Sequence, residues 1–314
     1  MIDEHFFRRE HARIVAALVR LFGDVALAED VAQDAYLRAL ETWKVQGLPD
    51  NPAAWITTAA KHRAIDQIRR AATAAAYQPD LDEAVEHAFE GSAIRDEQLR
   101  MMFACCAPQL GEEIQLALIL NLLCGFGAPE IAAALLQSRA AIEKRITRGK
   151  HELGASRAWL DLANSELPAR TPTVQRALYL LFNEGYHGSD AIRVELCAEA
   201  LRLVRWMEPE PSTCALAALM CLHAARLPAR EDLCAFADQD SSRWDRELVA
   251  EGLAWFERAA TGSELTAYHL EAAIAVTHAS ASSIDRTDWR AIAELYGQLY
   301  ALAPSPVIAL NRAI

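Results

Sequence analysis

Glu130-Ile131-Ala132-Ala133-Ala134-Leu135-Leu136-Gln137-Ser138-Arg139-Ala140-Ala141-Ile142-Glu143-Lys144-Arg145-Ile146-Thr147-Arg148-Gly149-Lys150 reads as a helix, a short break and a second helix. Ile131, Ala134 and Leu135 give the first helix one apolar face. Ser138 is placed to cap the second, its hydroxyl accepting one of the backbone N–H groups that a helix start leaves unsatisfied. Ile142 and Ile146 stand four apart and face inward. Arg145 and Arg148 stand three apart, with Lys144 and Arg139 close by, so the outer side of the second helix is cationic. A short helix locked against another, with a basic outer face, can enter a major groove and meet phosphates. The pattern is that of a helix-turn-helix. An ordinary helical hairpin with a solvated basic face fits the same residues, since Leu136 stands where a turn glycine is usual. The rest of the chain has to decide.

At 314 residues the chain is long enough for two or three cores. It is 53% hydrophobic, rich in Ala and Leu and poor in strand signals, which predicts an all-α fold. No apolar run is read as reaching the ~18–20 residues that span a bilayer. The opening Met1-Ile2-Asp3-Glu4-His5 lacks the basic-then-apolar order of a signal peptide. A cytoplasmic protein without membrane attachment is expected. The cysteines at 105, 106, 124, 197, 214, 221 and 234 are odd in number and form no Cys-x-x-Cys pair, so neither a disulfide framework nor a zinc site is indicated. Cys105 and Cys106, in Met101-Met102-Phe103-Ala104-Cys105-Cys106, read as small buried hydrophobes rather than a redox switch. No metal or cofactor is expected. The net charge of −12 argues against nucleic acid until its distribution is followed. Residues 76–97 hold seven acids and one base, and residues 158–314 hold 21 acids and 13 bases. The negative charge therefore lies in a linker and the C-terminal part, away from the basic helix.

Upstream, Ile14, Leu18, Leu21 and Phe22 follow helical spacing from Phe6 to Phe22, and Gly23-Asp24 ends that helix. A second helix, about Ala28 to Trp43, carries Tyr36, Leu40 and Trp43 on one face. Asp30, Asp34, Arg38 and Glu41 form another stripe, beside Glu29, Gln33 and Leu37. Gly47, Pro49 and Pro52 enforce a loop. A third helix, Pro52 to Arg70, lines its inner face with Ile56, Ala60, Ala64 and Ile68 and an outer one with Arg63, Gln67 and Arg70. Residues 73–93 read as an acidic linker, and 94–158 as the helical unit that contains the helix-turn-helix. Leu167 to Pro172 looks like a boundary, after which 168–314 alternates helices with Pro and Gly breaks. Leu270-x-x-Ala273-Ile274 recurs as Leu310-x-x-Ala313-Ile314, which hints at stacked helical hairpins longer than the ~34-residue tetratricopeptide period. The chain ends at Ile314 inside a helical pattern without a C-cap, as a repeat array cut short would.

Asp30-Val31-Ala32-Gln33-Asp34-Ala35-Tyr36-Leu37-Arg38-Ala39-Leu40, the proline loop, and Trp55-Ile56 followed by Lys61-His62-Arg63-Ala64-Ile65-Asp66-x-Ile68-Arg69-Arg70 resemble sigma region two. A linker and a region-four helix-turn-helix follow in the expected order. The chain thus resembles an extracytoplasmic-function (ECF) sigma factor of the sigma-70 family. Leu99 to Cys106, Leu180-Leu181-Phe182-Asn183-Glu184-Gly185-Tyr186 and Asp238-Gln239-Asp240-x-x-Arg243-Trp244-Asp245 are similar to the subgroup with a C-terminal tetratricopeptide-like extension. The resemblance implies region two over 1–72, region four over 94–158 and the extension over 168–314. His62 replaces a common asparagine, and Leu136 in place of glycine suggests a slightly different turn.

The resemblance also implies roles. Asp30, Gln33, Asp34, Leu37 and Arg38 would dock on the clamp of the largest subunit of core RNA polymerase, where carboxylates at four-residue spacing offer an acceptor stripe to arginine forks. Lys61, His62, Arg63, Arg69 and Arg70 would meet the minus-ten promoter element, positioning a strand through its phosphates. The loop Lys44 to Ala53 would capture a base flipped out of the stack, with Trp55 read as core rather than as a wall of that site. Arg139, Lys144, Arg145 and Arg148 would contact the minus-thirty-five element. The acids Asp80, Asp82, Glu83, Glu86 and Glu90 would thread a basic channel of the polymerase. The charge of residues 158–314 and their short apolar-faced helices, rather than the resemblance, lead to the expectation that the extension restrains the sigma domains in place of a separate anti-sigma protein. The alternative is that it helps hold core polymerase. A one-component helix-turn-helix regulator with a ligand-sensing helical domain is the competing reading. Glu184 with His187 lacks the company of a metal site, phosphate loop or nucleophile elbow, so an enzyme is not expected. Asp240 or Ser242 would cap the helix through Trp244 and Leu248.

Overall fold

The chain is built largely from strong helix formers, yet its helices are short enough to be marginal alone, so packing decides where they stop and how they meet. The computed structural model describes residues 4–71, 85, 91–154, 166–187, 192–230, 239–281 and 284–313. Among these residues there are helices and no strand: the fold is all-α. It forms two compact units, Met1–Ala177 and Leu178–Ile314. The linker acids from Asp80 to Glu90, Cys234 and Asp238 lie outside the described residues.

In the first unit, α1 (Glu4–Phe22), α2 (Val25–Gln46) and α3 (Pro52–Ala71) pack on one another. Asp24 caps α2 by accepting from Leu27 N at 3.1 Å. The buried stripe of α2 is narrow: Val25, Ala28, Val31, Ala32, Ala35 and Ala39. This splits the expected face. Tyr36 packs edge-on against Phe7, and Trp43 against Trp55, but Leu40 is 53% exposed beside Leu37. Alanines carry most of the inner stripe, and Leu40 falls outside it.

Four more helices follow: α4 (Gly91–Cys105), α5 (Glu112–Leu122), α6 (Ala128–Ala134) and α7 (Arg139–Gly154). α5 is buried along most of its length, and α7 lies on it at Gly149. A Cβ there would sit 2.7 Å from both Ile114 and Leu118. α4 packs on α1, and α7 on α2. Lys150 of α7 pairs with Glu29 of α2 at 2.7 Å, and Arg8 of α1 with Glu130 of α6 at 2.9 Å. The Arg8 guanidinium also lies over the Phe126 ring at 5.7 Å. The N-terminal three-helix block and the helix-turn-helix are therefore closed on one another. Cys105, Cys106 and Cys124 are buried; burial pushes the Cys106 thiol up to about 12, which leaves it unreactive.

The expected boundary at Leu167–Pro172 is instead the start of a continuous helix, α8 (Leu167–His187). Pro172, the sixth residue, lies inside this helix and deprives it of one backbone hydrogen bond without ending it. Arg170 anchors this end: it is buried, donates to the Phe103 carbonyl at 3.0 Å and pairs with Glu166 at 2.6 Å.

The second unit takes Leu178, Leu181 and Phe182 of α8 into its core. It adds α9 (Val194–Val204), α10 (Pro211–Ala224), α11 (Arg246–Ala259), α12 (Ala267–Ser280), α13 (Trp289–Leu302) and α14 (Pro306–Ala313). α10 is central, packed by α9, α11 and α12. Contrary to the reading of the sequence, one stretch, Pro211–Ala229, is apolar and long enough at 19 residues to cross a membrane. Its residues are mostly buried, because it is the helix the others surround. Gly185 permits α8 and α9 to touch, since a Cβ there would meet the Arg193 carbonyl oxygen at 2.7 Å. Glu184, beside it, is held by Arg193. The cap of α11 is Asp245, which accepts from Glu247 N and Leu248 N; Asp240 caps only the short turn Ser241–Arg243. The sequence reading placed that helix start too early. Leu270 and Ile274 join Ile292 and Leu299 in a core cluster, whereas Leu310, their echo in sequence, is 62% exposed.

Three histidines are held neutral. Burial, then Lys150, pushes His11 down to about 4; burial, then Arg226, pushes His223 to about 3 and His278 to about 4. The unfolded chain takes up these protons first, near a pH of about 6.5. Stability from neutral burial is therefore complete above that pH and is lost as pH falls toward about 4. The urea midpoint is expected to drop between about pH 7 and about pH 5, and less in His223→Leu than in the wild type. Superimposable pH profiles for the two proteins would contradict this assignment.

Candidate nucleic-acid and polymerase interface

Because α2 buries its alanines, its outer side carries Asp30, Gln33, Leu37 and Arg38, all exposed. Asp34 is only half exposed. Its Oδ2 accepts from Arg63 Nε at 2.8 Å and Nη2 at 2.5 Å. One acid of the expected docking stripe and one base of the expected minus-ten stripe thus form an ion pair that ties α2 to α3. His62, Arg69 and Arg70 are exposed on α3, and Lys61 is partly buried.

Between the α2–α3 loop and α3 lies a shallow cleft of about 400 Å³, bordered by Arg38, Pro49, Asn51, Trp55, Thr58 and His62. Asn51 shapes its rim by capping α3, accepting from Ala54 N at 3.1 Å. Trp55 packs on Trp43, ring centres 5.6 Å apart, and also borders the cleft. The two readings of this tryptophan are therefore not exclusive.

In the helix-turn-helix, Ile131, Ile142 and Ile146 are buried, and Ser138 Oγ accepts from Ala141 N at 3.3 Å. The turn closes with Gln137 N donating to the Ala132 carbonyl and Leu136 N to that of Ala133. This is the Schellman arrangement, which requires a left-handed residue at its centre. Leu136 supplies it at φ 52°, with its side chain 94% exposed. The turn thus keeps the geometry a glycine would adopt without strain.

The cations of α7 do not stand alone. Arg139 pairs with Glu143 at 2.7 Å and Arg148 with Glu152 at 2.6 Å, both at four-residue spacing and with arginines 69% exposed. Such pairs contribute about 0.3–0.5 kcal/mol, little enough for a phosphate to displace. Arg145 differs. It is 24% exposed, pairs with Glu113 of α5 at 2.5 Å and also donates to Gln137, so it braces the turn against α5. Lys144 is exposed. Glu143 and Glu152 could have been found from their spacing to the arginines. Glu113, remote in sequence, gave no local signal.

Residues 6–73, which contain α1 to α3, match sigma-70 region 2. The N-terminal three-helix block is therefore a sigma-70 region 2 segment. It is 36% identical over 320 residues to an uncharacterized protein of Rhizobium meliloti (strain 1021), covering 96% of this chain and 76% of that one. The ECF RNA polymerase sigma factor SigK of Mycobacterium sp. (strain KMS) is 25% identical over 152 residues, 46% of this chain and 76% of that protein. Residues 170–260 match a family of unknown function, DUF6596. No solved structure matches the chain. The region 2 match and the similarity to SigK support an RNA polymerase sigma factor role.

Left-handed backbone costs a non-glycine residue roughly 1–2 kcal/mol, part of which glycine returns through its freer unfolded chain. Leu136→Gly is therefore expected to stabilise the protein by about 0.5–1 kcal/mol, and Leu136→Val to destabilise it, measured by urea denaturation. A destabilised Leu136→Gly would mean that the exposed leucine side chain holds the turn by contacts of its own.

Proposed function

We propose that this chain is a sigma-70 family member, an ECF-type sigma factor acting in the cytoplasm, with a fused C-terminal regulatory unit. The exposed face of α2 docks on the core polymerase clamp. α3 and the cleft at Trp55 hold the minus-ten strand, and α7 enters the major groove of the minus-thirty-five element. The observation that carries this reading is the division of region two, in which an outward stripe of Asp30, Gln33 and Leu37 on α2 adjoins the exposed bases of α3. The Asp34–Arg63 pair, lying between, would fix the two surfaces at one angle.

The same reading demands movement. The two promoter elements are about 25 base pairs apart, or about 85 Å at ~3.4 Å per pair. A compact unit of 177 residues has a radius of gyration of about 16 Å. α3 and α7 cannot serve both elements while Glu29–Lys150 and Arg8–Glu130 are closed. Separation of the two helical blocks is thus part of promoter binding.

Run-off transcription with purified core polymerase tests the function, and core binding separates it from a one-component regulator, which needs no docking face. Asp30→Arg with Leu37→Arg leaves the Asp34–Arg63 pair intact and should weaken core binding at least about tenfold with unchanged helicity. Co-purification equal to the wild type would remove α2 from the interface. On promoter DNA, Arg148→Ala should weaken binding and flatten the salt dependence by about one unit. Arg145→Ala should also lower the melting temperature, because it unties α5 from the turn. Salt titrations that leave the Arg148→Ala complex unchanged would take α7 out of the groove.

A further inference from the structure

The second unit holds a cavity of about 490 Å³ among α8, α10, α12, α13 and α14, within the range of small-molecule sites. Its floor is apolar, with Phe182, Ile274 and Leu299. Its lining also carries polar groups, among them Asn183 and Asn311, and its acid and its basic groups stand apart. Glu271 and His278 both lie on α12, seven residues apart and so on one face, separated by about 10 Å along the helix. At the Glu271 end, the carboxyl accepts from the Tyr179 hydroxyl at 3.0 Å, and burial raises its pKa. At the His278 end stand Arg226, His187 and His223.

That second end is cationic in an unusual way. The imidazoles of His187, His223 and His278 are kept neutral by burial and by nearby guanidinium charge, Arg230 then Arg226 at His187 and Arg226 first at His223 and His278. Fixed positive charge, its Arg226 member bonded to Gln239, thus faces three hydrogen-bonding rings that carry none. His223 Nδ1 is buried without a hydrogen-bond partner, a state that costs a polar atom roughly 1–3 kcal/mol. A bound acceptor or donor would relieve it. Among the described residues no three His, Cys, Asp or Glu side chains are arranged to hold a metal ion, so these rings do not form a metal site. A carboxylate satisfies both features, matching the Arg226 charge and accepting a hydrogen bond from an imidazole N–H.

We propose that this cavity binds a small amphipathic monocarboxylate. Its anionic head lies at Arg226 and His223, its apolar body runs over Phe182, Ile274 and Leu299, and a hydroxyl at the far end reaches Glu271 and Tyr179. The C-terminal unit is then the receptor for a metabolite-sized acid, a role independent of how the first unit meets promoter DNA.

The test uses the full chain and 4-hydroxyphenylacetate, which has a ring, a carboxylate and a distal hydroxyl, followed by calorimetry and saturation-transfer NMR. Saturable one-to-one binding is expected, with the neutral amide of the same acid at least about tenfold weaker. Arg226→Gln should erase the preference for acid over amide. Ala275→Trp, which fills the cavity from α12, should abolish binding with helicity retained. Val307→Trp, at the exposed rim on α14, serves the same purpose without burdening the core. Absence of saturable binding by the wild type, equal binding of acid and amide, or full binding in a folded cavity-filled variant would overturn the proposal.

Discussion

Close approach between alanine-faced helices is the constraint on which the rest of this molecule rests. α2 meets its neighbours through Ala28, Ala32, Ala35 and Ala39, and α10 through Ala215, Ala217 and Ala218, all buried. Gly149 and Gly252 extend the same logic to places where even a methyl group would collide. Small side chains bury little area each, so cohesion is completed elsewhere, by the Phe7–Tyr36 and Trp43–Trp55 contacts and by larger residues of α5. The narrow buried stripe has a second effect. It turns Leu37 and Leu40 outward, giving α2 an apolar element on the side a partner would meet.

Local signals were the legible ones. Ser138 announced its helix start, and Ile142 and Ile146 their inward face, because capping and helical period act within a few residues. The cap of α11 was misplaced by a few positions because Asp240 and Asp245 are chemically equal and only the backbone decides between them. Pro172 reads as a boundary because proline is a breaker by type, whereas this helix runs through it with one backbone hydrogen bond fewer. Helical period alone places Leu40 inward, because it cannot tell a wide apolar face from a narrow alanine one.

The candidate site was legible as a set of charges and illegible as a set of pairs. Arg63 with Asp34, and Arg145 with Glu113, join residues 29 and 32 positions apart, and nothing in the spacing foretells them. These pairs sort the cations. Arg139 and Arg148 hold intrahelical partners at an open surface and can exchange them for phosphate, while Arg145 is occupied with holding α5, the turn and α7 together. A list of basic residues on one helix face overstates how much charge is free to meet DNA.

The closure of α6 and α7 onto α1 and α2 carries a thermodynamic consequence. Lys150–Glu29 and Arg8–Glu130 are partly shielded from solvent, more so than the arginine pairs on α7, so salt weakens them less than the surface pairs. If the open form alone spans a promoter, the observed affinity equals the intrinsic one multiplied by the fraction of molecules that are open. Each ~1.4 kcal/mol of closure then lowers apparent promoter affinity about tenfold without touching any residue that contacts DNA. Two ion pairs far from the groove would set the threshold concentration at which this protein acts.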